Sequence, residues 1–72
     1  MILYETTFSF KDVLQLQPGG DNTVSHELVD QAWLQWASRA PAVYVKYDEV
    51  AQATVEIGPT GYIVIIEAEE TP

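Results

Sequence analysis

The sequence predicts a small α+β domain in which one amphipathic helix packs on a mostly antiparallel sheet. Three observations carry this. Period-two alternation marks the first residues and the last third of the chain. Between them, His26 to Arg39 places its apolar residues on one half of a helix. Two turn clusters, Pro18-Gly19-Gly20-Asp21-Asn22 and Gly58-Pro59-Thr60-Gly61, punctuate the rest. The expected order is β-α-β-β-β. All 72 residues are read as one domain, since a chain of this length cannot hold two separate cores.

From Ile2 to Phe10, the residues Ile2, Tyr4, Thr6, Phe8 and Phe10 alternate with Leu3, Glu5, Thr7 and Ser9. That pattern describes a half-buried strand with its aromatic face inward. Val13, Leu14 and Leu16 follow as a short apolar patch at the strand's end or in a bend beyond it. In the Pro18–Asn22 turn, proline sets one φ, while the glycines and Asn22 tolerate positive φ.

Ser25 is the expected N-cap of the helix, with Glu27 and Asp30 near the positive end of its dipole. Leu28, Val29, Ala32, Trp33, Trp36, Ala37 and Ala40 share one half of it, and Leu34 falls on the polar side. Pro41 stops the helix. Ala42–Tyr47 and Ala53–Ile57 then alternate as strands, and the Gly58–Gly61 cluster closes a hairpin onto Tyr62–Ile66. Apolar at every position, Tyr62–Ile66 is expected at the sheet centre, covered on both faces. These three strands would form a meander, and the pattern leaves the position of Ile2–Phe10 open. Residues 67–72 read as a frayed acidic tail.

Composition narrows the function classes. Three bases (Lys11, Arg39, Lys46) stand against eleven acids, a formal net charge of -8. Both halves of the chain carry the same share of it. Such a balance excludes direct nucleic-acid binding through phosphate contacts and disfavours docking on an anionic membrane. With no cysteine there is neither a disulfide frame nor a thiolate nucleophile. No stretch approaches the ~20 apolar residues of a membrane span, and no leader pattern stands at Met1, so the expected address is the cytoplasm or a virion.

Catalytic constellations are not expected. His26-Glu27-x-x-Asp30 puts Asp30 where a metalloprotease helix needs its second histidine, and both acids suit a helix start. His26 is also the one possible base for Ser9, Ser25 or Ser38, none of which sits in a glycine-flanked elbow. Asp48-Glu49 and Glu67-Glu69-Glu70 lack the spacing of a calcium loop. Pro18–Asn22 lacks the ending of a phosphate loop. The reading is a protein that is not an enzyme and needs no cofactor or metal.

The candidate residues are therefore for partner binding. Trp33 and Trp36 lie in an apolar arc wider than a core-facing stripe requires, and Leu34 widens it. One tryptophan, with Leu34 or Tyr44, is a candidate anchor, because Trp and Tyr are enriched at interface hot spots. Asp48, Glu49 and Glu56 are candidate contacts to a basic protein surface. Carboxylates spaced over one face can imitate the phosphates of a duplex, about one charge per 1.7 Å.

Phe10 to Tyr47, about half the chain, reads as a strand, then Leu16-Gln17-Pro18-Gly19-Gly20, then Thr23-Val24, then Glu27-Leu28 opening a short helix, then Pro41-Ala42-Val43 returning to strand. This layout resembles small proteins of the head and tail gene modules of Mu-like phages and prophages. The resemblance implies a viral origin and a role in protein–protein contact, and it carries no catalytic residue across. Two expectations follow: a phage-type interaction module whose helix face or sheet edge docks on a protein partner or on copies of itself during virion assembly, or an acidic inhibitor (a nucleic-acid mimic of anti-CRISPR type) that occupies a nucleic-acid-binding enzyme.

Overall fold

The computed structural model describes residues 1–20 and 22–69. Its elements run β1 (Ile2–Ser9), α1 (Phe10–Leu14), α2 (Val24–Arg39), α3 (Pro41–Tyr47), β2 (Gln52–Ile57) and β3 (Gly61–Glu67). The fold is a small α+β domain with a three-stranded antiparallel sheet of order β1-β3-β2. The apolar strand β3 takes the centre, and β1 pairs along its far side.

Ala42–Tyr47 is not a strand; it belongs to the helix α3. Pro41 does push Ala40 out of the α region (φ -137°, ψ 63°), which ends α2, but proline is also well suited to the first turn of a helix. The chain restarts at once, and Ala40 serves as C-cap of one helix and N-cap of the next. Ala40, Tyr44, Tyr47 and Ala51 all pack against the core, a spacing of four, three and four. That is the stripe of a helix face. Over seven residues it coexists with the period-two alternation of Val43, Val45 and Tyr47. The meander is thus reduced to the β2–β3 hairpin.

Local capping chemistry sets the other boundaries. Thr23, not Ser25, caps α2, its hydroxyl accepting from the His26 amide at 3.2 Å. Ser9 caps α1 by accepting from the Asp12 amide. Phe10 therefore opens a helix instead of ending the strand, and Val13 packs inward from α1. The turn before α2 uses Gly20 at φ +57°, where a side chain would be strained. Asp21 lies outside the described residues.

The core is Leu28, Ala32 and Trp36 of α2 against Val64 and Ile66 of β3. Tyr4, Phe8, Ala53, Val55 and Tyr62 complete the helix-facing side of the sheet. Burying each large aliphatic side chain stabilises the fold by roughly 1.5–3 kcal/mol. Ile57, in register with Tyr62 at the end of the same face, is 74% exposed.

Two further expectations are corrected. Residues 67–68 are not a frayed tail: Glu67 pairs with both neighbouring strands, and Ala68 is buried. The Ala68 amide donates to the Met1 carbonyl at 3.1 Å, and the Met1 ammonium donates to the Ala68 carbonyl at 3.0 Å. Residues 70–72 lie outside the described residues. Nor is β3 covered on both faces. Helix α2 packs on the side of Val64 and Ile66, with Val13 of α1 against the same core, and neither Ile63 nor Ile65 joins that core.

Candidate functional site: the open face of the sheet

Residues paired across antiparallel strands share a face, so the register dictates what the uncovered side presents. Three rows follow, read from β1 through β3 to β2. They are Thr7, Ile63, Glu56; then Glu5, Ile65, Thr54; then Ile2, Glu67, Gln52. Ile63 and Ile65 are half-buried, while Ile2, Glu5, Thr7, Thr54, Glu56 and Glu67 are exposed. Simple alternation would have placed Ile2 inward beside Tyr4. A register shift between Ile2 and Tyr4 makes Leu3 an extra residue in the ladder. Leu3 and Tyr4 both pack inward, and Ile2 turns to the open face at 59% exposure.

This face is apolar along a diagonal and acidic around it. Its three isoleucines are bordered by Glu5, Glu56 and Glu67, and it carries no base. The three bases stand on the helices. Lys11 is on α1, the Arg39 guanidinium lies 5.7 Å from the Tyr4 ring centroid, and the Lys46 ammonium lies 5.2 Å from that of Tyr47. Among the described residues no lysine or arginine pairs with a carboxylate; the single ion-pair contact is His26–Asp30 at 3.6 Å, both half exposed.

Of the residues singled out from the sequence, Glu56 sits on this face. Trp36 is fully buried in the core, leaving no surface for a partner. Trp33 and Tyr44 are half-buried against it in one aromatic cluster, with centroid separations of 5.2 Å (Trp33–Trp36), 5.1 Å (Trp36–Tyr44) and 6.4 Å (Trp33–Tyr44). The edge-to-face geometry of both tyrosine pairs is the favoured one for aromatic packing. Leu34 is 65% exposed on the outer side of α2, as its phase predicts. Asp48 and Glu49 are exposed in the turn after α3. The structure therefore divides the candidates: an aromatic wedge that holds α3 to α2, a solitary leucine, a turn, and one carboxylate on the open sheet. Sequence reasoning missed Ile2, Glu5, Ile63, Ile65 and Glu67, because an all-apolar β3 reads as covered on both sides.

Two shallow grooves lie elsewhere on the described surface. One, of about 370 Å³, runs between β1 and α2 and is lined by Thr6, Asp12, Leu16, Gln31 and Gln35 among others. A larger one, about 770 Å³, lies where Met1 and Glu67 to Glu69 meet Tyr47, Glu49 and Val50. Neither contains His26. Among the described residues no three histidines or acids converge as metal ligands would, and no helix is long and apolar enough to cross a membrane. Comparison with protein-family models, characterised proteins and solved structures found no match.

Proposed function

We propose that this chain is a small acidic protein–protein interaction module that binds through the open face of its sheet. The observation that carries the reading is the one-sided sheet: Ile63, Ile65 and Ile2 line the face opposite the core that Leu28, Ala32 and Trp36 form with Val64 and Ile66. A face of this kind buries its apolar side chains only when something else covers it. The turn-and-helix part of the phage-like layout, Leu16 to Leu28, suggests the setting, assembly of a phage head or tail, although the strands expected on either side of it are the helices α1 and α3. Co-sedimentation with assembled particles or assembly intermediates, from cells carrying the gene, tests it. Stoichiometric co-sedimentation that is lost in Ile63→Thr/Ile65→Thr, which keeps β-branched residues in the strand, supports the reading. A chain that remains monomeric and unattached in that background contradicts it.

One observation favours a second reading, inhibition of a nucleic-acid-binding enzyme. Glu5, Glu56 and Glu67 share a face with no base, so a basic groove would meet carboxylates there. Competition with nucleic acid for one enzyme surface, steeply weakened by added salt, distinguishes it from particle assembly.

A further inference from the structure

We propose that the open sheet face is the seat of one basic amphipathic helix supplied by another protein. The inference rests on the interaction reading above and names the partner's chemistry. Ile63 and Ile65 are two residues apart on β3, about 6.8 Å along the strand. Ile2 continues their line one strand across, beside Glu67. Glu5 and Glu56 flank that line on the two edge strands, one on each side.

Size selects the occupant. Three strands set their outer axes about 10 Å apart, close to the ~10–12 Å diameter of a helix with its side chains. The three rows span about 14 Å along the strands, roughly two and a half helical turns. A patch of three by three strand residues covers on the order of 300 Å². A standard globular interface needs about 800 Å² from each partner. The face therefore fits a single helix and is too small for the side of a folded domain.

Charge selects the chemistry. A helix with an apolar stripe bordered by lysine or arginine sets that stripe on Ile2, Ile63 and Ile65 and its bases against Glu5, Glu56 and Glu67. A second copy of this chain, face to face, would double the carboxylates with no base among them. Duplex phosphate and an anionic lipid surface are repelled for the same reason. Apolar burial holds the helix, and the carboxylate rim orients it and makes binding salt-dependent.

The test is titration of the isotope-labelled full chain with a synthetic peptide of about four helical turns. Leucines at i, i+3, i+4 and i+7 are bordered by lysine and arginine; a control peptide carries glutamate in their place. Resonance shifts should concentrate at Ile2, Glu5, Thr54, Glu56, Ile63 and Ile65. Affinity should fall about tenfold or more between about 50 and about 500 mM salt, and the control should not bind. Glu5→Lys/Glu56→Lys, at two exposed positions, should weaken the basic peptide about tenfold and admit the acidic one. No shifts at about 1 mM peptide, a flat salt response or equal binding of both peptides overturns the proposal. Shifts at Leu34 and Val45 overturn the seat while leaving the interaction module standing. Peptide bound at the sheet by a chain that never joins a particle upholds the seat and contradicts the assembly reading.

Discussion

Trp36 is the largest fully buried side chain in the fold, and its indole Nε1 has no hydrogen-bond partner. An unpaired buried donor costs about 1–3 kcal/mol, which aromatic packing against Trp33 and Tyr44 has to offset. Trp36→Phe removes that donor with part of the ring volume, so its cost should stay near 1 kcal/mol. Trp36→Ala leaves a cavity and should cost about 3–5 kcal/mol, against a total of roughly 4–10 kcal/mol for a chain of this length. Urea denaturation of the two variants checks the difference. Gly61 is constrained for a different reason. It faces Ser9 in the β1–β3 ladder, and a Cβ there would collide with the Phe8 carbonyl. Gly61→Ala should therefore force the strands apart and lower stability by about 2–3 kcal/mol in the same assay.

At the scale of elements, the places where alternation and helical periodicity compete were the hard ones to read. α2 was legible because fourteen residues of one pattern admit a single period, and the strands β2 and β3 were legible from the hairpin turn between them. α3 was not, because Pro41–Tyr47 is two turns long and rich in β-branched and aromatic residues. The decisive stripe of Ala40, Tyr44, Tyr47 and Ala51 shows only when residues outside the segment are included. Likewise the Leu3 bulge leaves no local signature, yet it decides that Ile2 faces the open side. The site was only partly readable: Glu56 was singled out, whereas its face was not, since burial on one side or both depends on where the helices pack. Val45 offers a test. It is 73% exposed on α3, so Val45→Ala should gain helix propensity and raise stability by about 0.5 kcal/mol. Were the segment a strand, the same change would lower stability. Thermal melts distinguish the two signs.

For the whole molecule, charge that is even along the chain is uneven in space. The acids reach both sides of the domain, while all three bases sit on the helical side. With a net charge of -8 and no lysine–carboxylate or arginine–carboxylate pairs among the described residues, self-repulsion opposes the folded state. Raising sodium chloride from about 20 to about 200 mM should therefore raise Tm by a few degrees, read by circular dichroism. The same charge keeps the free domain soluble and steers it toward basic partners.

Methyl resonances read against a soluble paramagnetic probe report on the one-sided sheet directly. In the free chain at low concentration, the δ-methyls of Ile2, Ile63 and Ile65 should relax strongly and that of Ile66 should be protected. Protection of Ile63 and Ile65 equal to that of Ile66 would mean that their face is already covered, and the docking surface described above would not exist.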